Sequence, residues 1–170
     1  MDKRTATAAR MTLQSGPGTR VLILEAPYYE DITQALVDGA LEVLGSAGVG
    51  ADRIAVPGAH ELPQALVAAQ AAGVIAAPPK AAKYAGVIVL GCVIRGETAH
   101  YDIVCNNANH WLMHTAIGHH IPLGNGVLTV DTHAQALARA TGGASGKGGD
   151  AARACLRLIW LATHFENLRS

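Results

Sequence analysis

Val21-Leu22-Ile23-Leu24 is an unbroken apolar run of branched residues, short enough for a buried strand. Asp31–Ala47 follows, with Ile32, Ala35, Leu36, Ala40, Val43 and Leu44 at helical spacing and Gly45 and Gly48 marking its end. Ile54-Ala55-Val56 then reads as a second short strand, stopped by Pro57-Gly58. Strand, helix, strand is the order of a parallel crossover unit. Consecutive apolar residues along the strands imply a sheet covered on both faces.

The pattern continues outward. Leu62–Ala72 predicts a helix that tolerates Pro63 in its first turn, and Val74–Lys83, with Pro78-Pro79, predicts a loop. Val87-Ile88-Val89-Leu90 reads as a third buried strand, Asp102–Ile117 as a helix closed by Gly118, and Ile121–Val130 as the segment holding a fourth strand around Val127-Leu128-Thr129. Thr132–Ala140 predicts a short helix capped by Asp131 or Thr132, Thr141–Gly149 a glycine-rich loop, and Asp150–Leu168 a final amphipathic helix. The expected fold class is α/β: a three-layer α/β/α sandwich resembling flavodoxin, with a four-stranded parallel sheet. Residues 1–18 read as a flexible N-terminal arm and 19–170 as a single domain.

Composition narrows the function. Lys plus Arg and Asp plus Glu balance at 13 each, so no global field draws nucleic acid or an anionic membrane. No stretch is apolar for long enough to span a bilayer, and Met1–Arg20 lacks the apolar core of a signal peptide. Of the three cysteines, Cys92 and Cys155 lie inside apolar runs and no Cys-x-x-Cys occurs. Reduced core thiols in a cytoplasmic protein are the expectation.

Ligands in open α/β sheets bind beyond the C-terminal ends of the strands. Four polar stretches fall there. They are Glu25-Ala26-Pro27-Tyr28-Tyr29, Pro57-Gly58-Ala59-His60-Glu61, the long segment Gly91–Asp102, and the residues flanking the fourth strand. In Gly91–Asp102, Thr98 offers a hydroxyl near the start of a helix, where unpaired N–H groups and the dipole suit a phosphate. His100 supplies an imidazole for proton transfer. From the residues alone, a capping Thr98 and a solvated loop His100 remain an equal alternative.

Gly91-Cys92-Val93-Ile94-Arg95-Gly96-Glu97-Thr98-Ala99-His100-Tyr101-Asp102 resembles the lumazine synthase signature G-x-V-I-R-G-x-T-x-H-[YF]-D. Pro57-Gly58-Ala59-His60-Glu61-Leu62-Pro63 is similar to that family's P-G-A-x-E-[IL]-P, and Gly126-Val127-Leu128-Thr129 to its G-[IV]-L-T. Arg139, with Lys147-Gly148 eight residues on, matches its basic pair.

The resemblance implies condensation of 5-amino-6-(D-ribitylamino)uracil with 3,4-dihydroxy-2-butanone 4-phosphate to 6,7-dimethyl-8-ribityllumazine, without metal or organic cofactor. It gives His100 the proton transfer. It places Tyr28, Ala59, His60, Glu61, Val93, Ile94 and Asn125 around the pyrimidine and ribityl chain. It places Glu97, Thr98 and Arg139 at the phosphate, with Lys147 as a further basic contact. Glu97 is expected to offer its backbone N–H and turn its carboxylate away.

In the family Asn125, Arg139 and Lys147 come from the neighbouring subunit. The resemblance therefore implies a homo-oligomer built on pentamers, with riboflavin synthase as a candidate partner. Pentamer, decamer and 60-subunit capsid all stay open. His60 departs from the family, which usually has an apolar or aromatic residue there. Thr141–Gly146 departs from the loop associated with capsids.

Other readings compete less well. Gly142–Gly149 mimics a P-loop, but Thr141 replaces the first glycine and Gly148 follows the lysine where Ser or Thr belongs. His110 and His114 have zinc-clamp spacing, yet no acidic residue lies between them, and interface or surface histidines fit better. A flavin-storage module would need neither His100 nor Arg139.

Overall fold

The computed structural model describes residues 18–76 and 80–169. The expected arm at 1–17, and Ala77-Pro78-Pro79 within the expected loop, lie outside the described residues. Strands β1 (Arg20–Ala26), β2 (Gly50–Ala55), β3 (Gly86–Ile94) and β4 (Leu123–Val130) form one sheet in the order β2-β1-β3-β4. Every pairing is parallel. Helices α1 (Glu30–Ser46), α2 (Leu62–Ala71), α3 (His100–Gly118), α4 (His133–Ala140) and α5 (Lys147–Asn167) connect and cover it.

Strand residues alternate between two cores, as a period of two requires. Val21, Ile23, Ile88 and Leu90 pack with α1, α4 and α5 on one face. Leu22, Leu24, Val87 and Val89 pack with α2 and α3 on the other. This is the expected three-layer sandwich. From β1 the chain goes outward to β2, then returns to the other side for β3 and β4. The direction reverses between β1 and β3, so their C-terminal ends border a crevice.

The larger departures from the sequence pattern are at β2, at the start of α3 and at Thr141–Gly149. β2 spans Gly50–Ala55 and not 54–56, because it is an edge strand paired only to β1. Its side chains are partly or fully exposed, Ile54 at 50%, so no apolar run announces it. Its polar residues are held from β1 and from the segment before β3. Asp52 takes the Arg20 guanidinium, Lys83 at 3.0 Å and the Tyr84 hydroxyl at 2.6 Å. Arg53 Nη2 donates to both oxygens of the buried Glu25, at 3.1 and 2.9 Å.

α3 starts at His100, two residues before the expected Asp102. Thr141–Gly149 is not a loop throughout. A 3-10 turn occupies Gly143–Ser145 and α5 begins at Lys147. Gly148 and Gly149 serve close packing, not loop freedom. A Cβ on Gly148 would collide with the Leu36 carbonyl of α1, and one on Gly149 with the Ala144 carbonyl. Thr132, not Asp131, caps α4, its Oγ1 accepting from the Gln135 amide at 3.2 Å. Cys92 and Cys155 are buried and unpaired, as expected.

Candidate active site at the ends of β1 and β3

A cavity of 450 Å³ opens where the strand order reverses. Each wall comes from a different element. β1 ends at Ala26, and Tyr28 and Tyr29 follow before α1 begins. The turn after β2 delivers Gly58, then Ala59, His60 and Glu61 on a 3-10 turn running into α2. The last residues of β3 contribute Cys92, Val93 and Ile94. The loop into α3 brings Gly96 and Thr98, and the first turns of α3 bring His100, Tyr101 and Val104.

The structure thus gathers Tyr28, Ala59, His60, Glu61, Val93, Ile94, Thr98 and His100, all expected from sequence, around one space. Tyr28 is 72% exposed and meets Tyr29 edge to face at 5.0 Å. An exposed ring at a cavity mouth presents a face on which a flat heterocycle can stack. Glu61 Oε2 lies 3.2 Å from where a Cβ on Gly58 would stand, so Gly58 leaves room for that carboxylate. Thr98 Oγ1 accepts from the His100 amide at 3.4 Å. Ala99 is the N-cap and no side chain caps the helix, so the capping reading of Thr98 does not hold, while Thr98 does line the cavity. His100 is the first residue of α3, where helix amides have no partner in a preceding turn. Its ring stands 6.4 Å from that of His60, at 84°.

The remaining polar walls are neutral near pH 7. Burial, then the charges of Asp31 and Cys105, pushes the Cys92 thiol up to about 11, so it is a packing group and not a nucleophile. Burial also raises the Tyr29 and Tyr101 phenols. Among the described residues no lysine or arginine lines this cavity. Arg95 is close in sequence but committed elsewhere. It stacks on the Tyr101 ring at 4.0 Å, donates to Asp131 at 3.1 Å and pairs with Asp102 at 3.5 Å.

Four expected residues stay outside the cavity. Glu97 is exposed on the loop and does not line it. Asn125 stands opposite Val89 in the first half of β4 and donates to Asn109 Oδ1 at 2.8 Å. Arg139 is exposed on α4, its Nη1 bonded to the Gln135 carbonyl at 3.0 Å. Lys147, the first residue of α5, pairs with Asp150 at 2.8 Å. Helices α4 and α5 cover the sheet face opposite α2 and α3.

Sequence reading assigned no role to Tyr29, Cys92 or Tyr101, which the cavity adds. Tyr101 had a signal, as the aromatic next to His100. His110 and His114 stand with ring centroids 6.0 Å apart, and Trp111 is beside both. Among the described residues no group of three or more His, Cys, Asp or Glu is placed to hold a metal ion. Among them, too, no helix is long and apolar enough to cross a membrane.

Residues 18–163, which include every residue of the cavity, match the 6,7-dimethyl-8-ribityllumazine synthase family. The chain belongs to that family. It is similar to the 6,7-dimethyl-8-ribityllumazine synthase of Methylorubrum populi, at 46% identity over 92% of this chain and 90% of the relative. The protein of the same name from Azorhizobium caulinodans is 49% identical over 85% and 86% of the two chains. A third, "6,7-dimethyl-8-ribityllumazine synthase 1" of Rhodopseudomonas palustris, is 46% identical over 84% and 85%. Both segments that carry the lumazine synthase resemblance nearest the N-terminus, Pro57–Pro63 and Gly91–Asp102, meet at this one cavity.

Proposed function

We propose that this lumazine synthase family member condenses 5-amino-6-(D-ribitylamino)uracil with 3,4-dihydroxy-2-butanone 4-phosphate. The products are 6,7-dimethyl-8-ribityllumazine, inorganic phosphate and water, at the penultimate step of riboflavin biosynthesis. The observation that carries the reading is the meeting, in one 450 Å³ cavity, of an exposed tyrosine, a carboxylate, a helix-start hydroxyl and an imidazole.

Tyr28 stacks on the pyrimidine, while the backbone of Val93 and Ile94 meets its edge. Ala59, His60 and Glu61 hold the ribityl chain. Thr98, the Glu97 amide and the start of α3 receive the phosphate. The amine attacks the ketone to give an imine, phosphate leaves by elimination, and the ring closes. These steps are redox-neutral proton transfers and condensations, so His100 suffices as the proton carrier and no cofactor is required. Holding the two substrates side by side removes much of the entropy cost of their encounter.

A dianionic phosphate needs a cation, and the described walls of the cavity include neither lysine nor arginine. Arg139 is exposed on the far layer, and among the described residues its one hydrogen-bond partner is a backbone carbonyl of its own helix. Its planar fork suits a phosphate. We therefore read the site as completed by a second copy that supplies Asn125, Arg139 and Lys147. The assembly is a cytoplasmic homo-oligomer built on pentamers, with riboflavin synthase as the candidate partner that takes the product.

The test is formation of lumazine, followed by absorbance, from the two purified substrates with EDTA present. Turnover is expected. Its absence, or its loss on chelation, would overturn the reading.

A further inference from the structure

We propose that His60 is a second proton carrier in the reaction, paired with His100 so that protons pass between the reaction cavity and solvent. This rests on the lumazine-forming reading above and goes beyond contact with the ribityl chain.

Three observations carry it. First, the His60 and His100 rings face each other edge to face, with centroids 6.4 Å apart. That separation is too long for a hydrogen bond between ring nitrogens, and a single bridging water spans it. Second, His60 lines two spaces. It borders the 450 Å³ cavity with His100, and a larger 630 Å³ cavity between α2 and α3 with Gln64, Asn107 and Trp111. His100 lines the first and not the second, so of the two rings His60 alone borders both. Third, among the described residues neither ring has a hydrogen bond or ion pair to its nitrogens, so both remain open to exchange.

The two rings are positioned independently, His60 by the turn after β2 and His100 by the start of α3. Burial is the main cause that shifts the nearby Cys92 thiol and the Tyr29 and Tyr101 phenols toward their protonated forms.

The proton balance closes without another reagent. His100 takes a proton from substrate carbon or nitrogen and becomes imidazolium. It passes a proton through the bridging water to His60, which releases one to water in the outer cavity. His100 is then neutral for the next abstraction. When a hydroxyl leaves as water, the same pair runs in reverse and delivers the proton. No electrons change hands.

The experiment is steady-state lumazine formation by the assembled wild type, by His60→Phe and His60→Gln, by His100→Gln and by the His60→Phe/His100→Gln double variant. Loss of the pair is expected to lower kcat about tenfold in either His60 variant, below the about hundredfold minimum of a principal acid–base group, alongside a rise in KM for the pyrimidine, whose ribityl chain the same ring touches. In the His100→Gln background, removing His60 is expected to cost less than about twofold more, because a broken pair cannot be broken again. If His60→Phe fails to assemble, His60→Gln carries the same comparison. An unchanged kcat with a raised KM would overturn the proposal and leave His60 as a binding contact. Losses that multiply in the double variant would overturn it too. Absence of turnover in the wild type would instead reject the reading on which it rests.

Discussion

Asn125 stands opposite Val89 in the β3–β4 ladder, four positions before Val93 meets Thr129 at the cavity rim. At about 3.3 Å per strand residue, that is about 13 Å along the sheet. Asn125 therefore cannot reach the cavity of its own chain, yet it is exposed and held by Asn109. On the proposed reading it serves a second copy. Light scattering is expected to show a homo-oligomer, and specific activity is expected to fall as dilution or mild denaturant dissociates it. A monomer with full activity would remove the basis for a shared site.

Arg139→Ala is expected to weaken the butanone phosphate selectively. A charge-assisted hydrogen bond to an anion contributes about 1.5–3 kcal/mol, which corresponds to about ten- to hundredfold in KM for that substrate. The pyrimidine KM should move little. Exposed Arg139 makes one hydrogen bond among the described residues, so stability should hardly change. Initial-rate kinetics with each substrate varied separately make the comparison. Equal weakening of both would remove Arg139 from the phosphate.

Much of the fold was legible, for reasons that also explain what was not. β1 and β3 lie inside the sheet and are buried almost throughout, so their apolar runs stand out. β2 lies at the edge and is held by backbone pairing and by the partners of Asp52 and Arg53, which apolar patterning does not register. Gly148 and Gly149 look like loop residues in sequence, and only the closeness of Leu36 and Ala144 reveals their place in a helix. That Tyr28, Glu61, Thr98 and His100 would lie at strand ends was legible, while the roles expected of them came from the lumazine synthase resemblance. The contact between His60 and His100 was not legible, because it joins elements 40 residues apart in number that share no sequence pattern.

Gly148→Ala tests the packing of α5 on α1. The added methyl would strike the Leu36 backbone, which cannot rotate away like a side chain. Overpacking of this kind costs about 1–3 kcal/mol, and in a chain of this size that lowers Tm by about 2–12 °C. Gly45→Ala is the control. No atom lies within 4 Å of where its Cβ would stand, so it should be neutral or slightly stabilising. Thermal melts of both variants decide it. Equal Tm values would contradict the close approach.

Asp52 governs part of the acid response. The Tyr84 hydroxyl, then Lys83 and Arg20, hold its carboxyl well below the usual carboxylate range. The folded chain therefore binds this proton less readily than the unfolded one. The resulting stability is present above the unfolded value and is lost as pH falls through the folded one. Urea melts of the wild type are expected to lose stability below about pH 4. Asp52→Asn is expected to be less stable at pH 7 and to show a shallower acid decline. An identical slope in both proteins would show that Asp52 is not among the groups responsible. At 33% side-chain exposure, solvent screens these pairs and keeps the effect modest.

Mixing two disabled subunits tests the shared site most directly. Tyr28→Ala removes the stacking ring from the cavity, and Arg139→Ala removes the cation from the surface of the neighbour. At butanone phosphate concentrations well below the raised KM, each homo-oligomer alone is expected to run far below the wild-type rate. In mixed oligomers, an intact Tyr28 from one subunit and an intact Arg139 from the next meet at some interfaces, so lumazine formation should reappear at a fraction of the wild-type rate. Absence of any recovery, in oligomers verified to contain both subunits, would contradict the account.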